Sequence, residues 1–196
     1  MESTISYAKD IKIEKSTDRL YIRSYTEDDY ENCLSLYSDP ILTQFFDHGK
    51  PRTKLEIDRY IEKRGRFFLK KDLPFGLFSV FLSDRVTFIG QVDAVPTGNP
   101  GEVEIGWIFF KEFQNSGYCS ESVIFFLIPL VKDLAQKRVE ASGKIVDRII
   151  ATAHPENKAS QRLMEKSGLS YYKKSLRYGG KPRNWYEFKL GNQNAE

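Results

Sequence analysis

The sequence predicts an α+β fold in which helices and a sheet pack in layers, and three observations predict it. Residues 75–82 and 86–95 are strand-like runs split by Ser83-Asp84-Arg85, and Pro96-Thr97-Gly98-Asn99-Pro100-Gly101 separates them from a third run at 103–110, which makes an antiparallel meander. That third strand leads through Gln114-Asn115-Ser116-Gly117-Tyr118-Cys119 into a helix opening with Ser120-Glu121-Ser122. The chain then closes on two runs, 170–178 and 183–190, joined by Gly179-Gly180-Lys181-Pro182, the pattern of a hairpin.

The remaining elements follow in chain order. Residues 1–17 are polar and lack a clear period, so they read as a flexible arm before a strand at 19–25. Thr26 can cap a helix that sets Tyr30, Cys33, Leu34 and Tyr37 on one face, and Asp39-Pro40 stops it. Thr53-Lys54-Leu55-Glu56 is a capping-box sequence: Thr53 can accept from the Glu56 amide while Glu56 reaches back, and Ile57 and Ile61 follow at helical spacing. The apolar run 123–131 contains Pro129 and falls well short of the ~20 residues that a bilayer crossing needs, so it reads as a buried helix. Polar residues 136–144 form an extension or loop before a strand at 145–153, whose Val146, Ile149 and Ile150 suit a buried sheet. Residues 18–190 therefore read as one domain, with 191–196 as a tail.

Composition narrows the function classes. A chain of 196 residues, 40% hydrophobic and 14% aromatic, can bury one sizeable core and is neither fibrous nor disordered. Its net charge of +3, with signs interspersed, makes no global field for nucleic acid or an anionic membrane. Cys33 and Cys119 are the only cysteines, too few for a disulfide framework and without zinc-ligand spacing, which fits a cytoplasmic protein without a metal. Met1-Glu2-Ser3-Thr4 lacks a basic stretch leading into an apolar one, so no secretory signal is read there.

The loop at 114–119 carries the functional reading. A helix start exposes unpaired N–H groups at the positive end of the dipole, a natural cradle for phosphate or diphosphate, and Gly117 lets a ligand approach the backbone. The Gly-x-Gly-x-x-Gly and Gly-x4-Gly-Lys-Ser/Thr signatures are both missing, so dinucleotide and nucleoside-triphosphate readings lose ground. The segment resembles the pyrophosphate loop of the GNAT acyltransferase superfamily, Gln/Arg-x-x-Gly-x-Gly/Ala. Gln114 and Gly117 match, and Cys119 departs.

A second stretch, His154-Pro155-Glu156-Asn157-Lys158-Ala159-Ser160 followed by Leu163-Met164-Glu165-Lys166-Ser167-Gly168-Leu169, resembles that superfamily's later Asn-x-x-Ser helix. Leu20-Tyr21-Ile22-Arg23, Ser38-Asp39-Pro40 and Glu104-Ile105-Gly106-Trp107 are similar to the branch that includes ribosomal-protein N-terminal acetyltransferases, and the likeness spans roughly residues 19–190. The resemblance implies a mixed, mostly antiparallel central sheet flanked by helices on both faces. It also implies transfer of an acetyl group from acetyl-coenzyme A to a primary amine, on a small molecule or a peptide or protein N-terminus, by a monomer or homodimer.

Site residues follow from the same resemblance. Gln114, Asn115, Ser116, Gly117, Tyr118 and Cys119 would hold the diphosphate, while Asn157 and the main chain of Ile108, Phe109 and Phe110 would hold the pantetheine arm, as if it added a strand. Glu104 matches the family's acidic position and is the expected general base. Alternation puts Glu102 on the same face, so periodicity alone does not separate the two. Ser160 is expected to protonate the thiolate, with Tyr172 or Tyr186 as other acids, and Trp107 to line the acceptor pocket.

Other readings compete. Glu104 is also compatible with binding a cationic substrate or pairing with a structural cation, and Ser160 and Asn157 with local capping. Cys119 reads either as an activated nucleophile or as a packed small residue. His48 and His154 lack fixed spacing to a nucleophile, so loop and strand-end roles are expected. Lys173, Lys174, Arg177, Lys181 and Arg183 interleave with Tyr171, Tyr172, Tyr178 and Trp185, a pattern compatible with stacking on RNA, though no RNA-reading motif accompanies it.

Overall fold

The computed structural model describes Ile5 and residues 13–191. β1 (Glu14–Ser16) pairs antiparallel with β2 (Leu20–Ser24), so the arm expected over 1–17 is corrected at its end. Ile13 is buried and its carbonyl accepts from the Ser24 N–H at 2.8 Å, an anchor too short to register as a period. The rest of that arm lies outside the described residues, as does the expected tail except for Gly191.

Thr26 caps a 3-10 turn (Glu27–Asp29), with its N–H donating to Asp29 Oδ2 at 2.9 Å, and α1 (Tyr30–Ser38) follows. Cys33, Leu36 and Tyr37 form its buried face. Asp39 ends α1 and starts α2 (Pro40–Thr43) by accepting from the N–H groups of Ile41 and Leu42. The capping box at α3 (Lys54–Ile61) is formed as expected: Thr53 N–H donates to Glu56 Oε2 at 2.8 Å and Glu56 N–H to Thr53 Oγ1 at 3.4 Å. Thr53→Ala should therefore cost about 1 kcal/mol, read as a lower urea midpoint with an unchanged slope. α3 continues through a π turn (Glu62–Arg66) into α4 (Phe67–Lys70).

The meander is β3 (Gly76–Leu82), β4 (Phe88–Pro96) and β5 (Glu102–Phe109). After a 3-10 turn (Lys111–Phe113), α5 (Tyr118–Ser122) begins at Gly117, and a π turn (Val123–Leu127) carries it into α6 (Ile128–Gln136). Pro129 has no N–H for the carbonyl four residues back, so an unbroken α ladder cannot pass; the π turn falls where that register shifts. The expected loop at 136–144 instead contains a small hairpin, β6 (Glu140–Ala141) with β7 (Lys144–Ile145), and the strand expected at 145–153 is reduced to β8 (Arg148–Ala153). The break occurs because Val146 N–H turns to the Val139 carbonyl and Asp147 N–H to that of Gly101, each at 3.0 Å. α7 (Lys158–Lys166) and the hairpin β9 (Ser170–Arg177) and β10 (Lys181–Lys189) complete the chain.

Eight strands form one sheet in the order β1-β2-β3-β4-β5-β8-β10-β9, antiparallel throughout except for β5 with β8. Alternation along the strands builds two cores. Leu20, Ile22, Phe78 and Val80 pack with Phe126, Leu130 and Leu134 of the long helix on one face. Tyr21, Leu77 and Phe81 pack with Cys33, Leu36 and Ile57 of α1 and α3 on the other. The helices thus cover both faces, as expected. No helix among the described residues is long and apolar enough to cross a membrane.

Candidate active site

β5 and β8 run parallel only from Glu102 opposite Arg148 to Glu104 opposite Ile150; beyond that they part. Main-chain groups alternate sides along a strand, and those of Phe110 face β4, its N–H donating to Ile89 O at 3.1 Å. Its carbonyl accepts from Phe113 N–H, also at 3.1 Å. By the same alternation Ile108 faces β4, whereas Ile105, Trp107 and Phe109 face the gap, and the Phe109 carbonyl accepts from Gln114 Nε2 at 2.9 Å. The main-chain groups of Ile108 and the Phe110 N–H expected to bond the cofactor are thus turned to β4, while those of Trp107 face the gap.

The loop beyond β5 is shaped by left-handed backbone, with φ of 61° at Asn115 and 83° at Gly117. Glu121 N–H closes the first helical bond to the Gly117 carbonyl at 2.9 Å, so the N–H groups of Tyr118, Cys119 and Ser120 precede any intrahelical partner. Arg19 buttresses the loop from behind. Its Nη1 donates to the Ser116 carbonyl at 3.0 Å, its Nη2 pairs with Glu121 Oε2 at 2.5 Å, and its guanidinium lies 4.8 Å from the centre of the Tyr118 ring. Ser116 and Tyr118 do not line the cleft, the Ser116 carbonyl and the Tyr118 ring being turned to Arg19.

A cleft of about 600 Å³ joins these parts, with Gln114, Asn115, Gly117 and Cys119 at one end, Trp107 along the gap, and Asn157 and Ser160 opposite. Asn157 caps α7, its Oδ1 accepting from Ser160 N–H at 3.1 Å, so any ligand contact falls to its amide nitrogen. Ser160 Oγ accepts from Trp107 Nε1 at 3.3 Å, which fixes the hydroxyl at the cleft wall. Burial pushes the Cys119 thiol up, and it packs against the core, so the activated-nucleophile reading is corrected in favour of packing.

A second, smaller pocket of about 70 Å³ shares Ile105, Gly106, Phe45, Phe46 and Thr152 with the cleft. Glu104 lies in its wall, 6% exposed, with Oε1 and Oε2 accepting from Arg177 at 2.5 and 3.0 Å and Arg64 Nη2 3.5 Å away. The pairing expected as the bland alternative is thus present, but inside a pocket. Asp93 on β4 stands beside it, accepting from Tyr60 Oη at 2.9 Å and Arg64 Nη1 at 3.1 Å. A Cβ on Gly106 would come within 3.0 Å of Asp93 Oδ1, so glycine is what lets the carboxylate reach the junction. Burial raises the Asp93 carboxyl above its usual range against the opposing pull of Arg64.

Glu102 is separated from Glu104 by its partners: Oε1 accepts from Thr97 and Asn99 at 2.8 and 2.9 Å, and Arg148 pairs with Oε2 at 2.5 Å. It lines neither cavity. Nor do Tyr172 and Tyr186; the Tyr186 hydroxyl is spent between Gln161 and Glu165, both at 3.4 Å. His48 and His154 are likewise outside, with His154 stacked on Phe45. In the basic aromatic hairpin, Arg177 and Arg183 turn inward to the small pocket, which breaks up the surface pattern expected for RNA. Asp93, Tyr60 and Arg64 line the pocket without having been singled out in the sequence, and Tyr178 and Arg183 were read there only as part of the hairpin pattern. One signal was available, an aspartate within the apolar strand Phe88-Ile89-Gly90-Gln91-Val92-Asp93-Ala94-Val95.

A family model for the acetyltransferase (GNAT) domain matches residues 19–170. The chain belongs to the GNAT family. The curated relative named "Uncharacterized N-acetyltransferase YnaD", from Bacillus subtilis (strain 168), is 28% identical over 179 residues, 88% of this GNAT chain and 91% of its own length. Ribosomal-protein-S5-alanine acetyltransferase from Vibrio fischeri superposes with a TM-score of 0.69 at 13% identity, over 94% of this chain and 100% of that one. Spermidine N-acetyltransferase from Vibrio cholerae, solved with CoA and spermine, gives 0.67 at 15% identity over 89% and 96%. At such identities the two structures show a common GNAT fold. The general chemistry of a GNAT acetyltransferase is acyl transfer from acetyl-coenzyme A to an amine.

Proposed function

We propose that this protein transfers the acetyl group of acetyl-coenzyme A directly to a primary amine within a ternary complex, a peptide or protein N-terminus being the acceptor that the ribosomal branch favours. One observation carries the reading: a cleft runs from the helix start at Gly117 along the parted edge of β5 and shares the Ile105 and Gly106 wall with the pocket lined by Glu104 and Asp93. The bound thioester supplies an activated acyl carbon and a thiolate leaving group.

The chain's own groups supply the rest. N–H groups around Gly117 to Ser120 hold the diphosphate, with Gln114 bracing the loop against β5. Trp107 main chain and the Asn157 amide hold the pantetheine arm. The Asp93–Glu104 pair, linked through Arg64, accepts the ammonium proton; both oxygens of each carboxylate are already engaged, so the proton passes through a water, and burial raises the proton affinity of Asp93. As the C–N bond forms and the C–S bond breaks, Ser160 relays to the thiolate the second proton lost by the amine nitrogen, so that its own hydroxyl is regenerated. Positioning contributes about 7 kcal/mol or more and the base a hundredfold to ten-thousandfold, so alignment by the cleft is the larger effect.

Two measurements test this. Calorimetry with CoA should show saturable binding, and a panel of amines and peptide N-termini with acetyl-CoA should release free thiol in an amine-dependent way. No heat with CoA would end the reading; binding without amine-dependent release would make the protein a non-catalytic acyl-CoA module.

A further inference from the structure

Four arginines and three carboxylates meet around the small pocket, and of the arginines Arg64 and Arg183 line it. Arg52 pairs with Asp47, Arg64 with Asp93, and Arg177 with Glu104, also approached by Arg64. That leaves Arg183, 2% exposed, whose Nη2 donates only to the neutral main-chain carbonyl of Asp47. Its Nη1 is buried with no hydrogen-bond partner. Among the described residues no carboxylate forms an ion pair with it.

A buried guanidinium with an unmet N–H is costly, and natural interiors seldom retain one unless a ligand completes it. Arg183 lines the pocket that opens onto the thioester end of the cleft at Ile105 and Gly106. Tyr178 lines the same pocket, and burial pushes its hydroxyl up to about 12, so it keeps its proton at neutral pH and stands as a second donor. Arg183 also lies 5.1 Å from the centre of the Tyr178 ring, and as the guanidinium of this cluster without an ion pair it offers a small oxyanion a partner beside the pocket's carboxylates.

We propose that the acceptor amine carries a carboxylate a few bonds from its nitrogen, and that Arg183 Nη1 receives a carboxylate oxygen while the amine faces the Asp93–Glu104 pair. A free amino acid and a peptide whose first residues are acidic share this chemistry. Polyamines, which bring only positive charge, do not. The inference rests on the acceptor role assigned to this pocket under the proposed function.

The test compares carboxylates with their isosteric amides in the full-length protein: amino acids with amino acid amides, and short peptides bearing Asp or Glu with the same peptides bearing Asn or Gln, with spermidine as the cationic reference. The acid of each pair should have the higher kcat/KM by about tenfold to a hundredfold, and Arg183→Gln should collapse that ratio. The free amino acid and peptide arms distinguish the two sources of carboxylate. Equal or reversed ratios in the wild type, with CoA binding intact, overturn the inference alone. If no member turns over although CoA binds, thermal shifts read it: equal stabilisation by N-acetylated acid and N-acetylated amide overturns it, and selective stabilisation by the acid, lost in Arg183→Gln, supports it. Absence of CoA binding overturns the proposed function and the inference together.

Discussion

Asp93→Asn is expected to lower kcat at pH 7 by about a hundredfold to ten-thousandfold, the range of a lost general base, while leaving CoA affinity within about twofold. The substitution keeps the side-chain volume and its place between Tyr60 and Arg64 but removes the group whose proton affinity burial has raised. The sign follows from that direction. A base works only when deprotonated, so in the wild type kcat/KM should climb as pH rises through the raised Asp93 value, and in the variant that rising limb should disappear. Glu104→Gln should also slow turnover, because it frees Arg177, but it should leave the limb in place if Asp93 is the proton acceptor. Loss of the limb in Glu104→Gln with its survival in Asp93→Asn would reverse the assignment. Breaking a buried ion pair can cost about 3–5 kcal/mol of stability, so CoA calorimetry on each variant serves as the check that the fold persists.

Gly117→Val should weaken CoA binding by about a hundredfold, equivalent to about 2.7 kcal/mol, with a much smaller effect on kcat at saturating acetyl-CoA. Gly117 has φ of 83°, a region that β-branched residues reach only with strain of about 1–3 kcal/mol. An added Cβ would also stand 3.3 Å from Arg19 Nη2, the end of a half-exposed side chain that can shift, so it is the backbone strain that displaces the loop and the N–H groups at the start of the helix. Calorimetry reads the change directly. A CoA dissociation constant within about twofold of the wild type would show that the diphosphate is not held here.

Much of the fold was legible because the signals were local. The Thr53–Glu56 box, the Asp39-Pro40 stop and the meander each depend on residues a few positions apart, and each is present. The arm failed at Glu14–Ser16 because so short a strand is held by its partner and not by a period of its own. The split at Val146 and Asp147 failed for a similar reason, since their N–H groups bond to Val139 and to Gly101, a distant loop residue. At the site, the Gln114–Cys119 loop and Asn157–Ser160 turn were visible as motifs, whereas Ile108 and Phe110 were misjudged because only the pairing with β4 decides which way a main-chain group points.

The sequence by itself determined the layered α+β class, the Gly117 loop and helix start, the Asn157–Ser160 helix and an acidic position at Glu104. The first three arise from forces acting within a turn or two of chain, namely side-chain period, capping bonds and the dipole of a helix end, whereas the acidic position at Glu104 rests on the family resemblance. Only the tertiary structure decided what surrounds that acid. Glu104 meets Arg177 from 73 positions away and Arg183 reaches the Asp47 carbonyl across 136. Charge balance in a buried pocket is a sum over groups from β4, the α3–α4 turn and the closing hairpin, and Coulombic and desolvation energies depend on distance in space, which only folding sets.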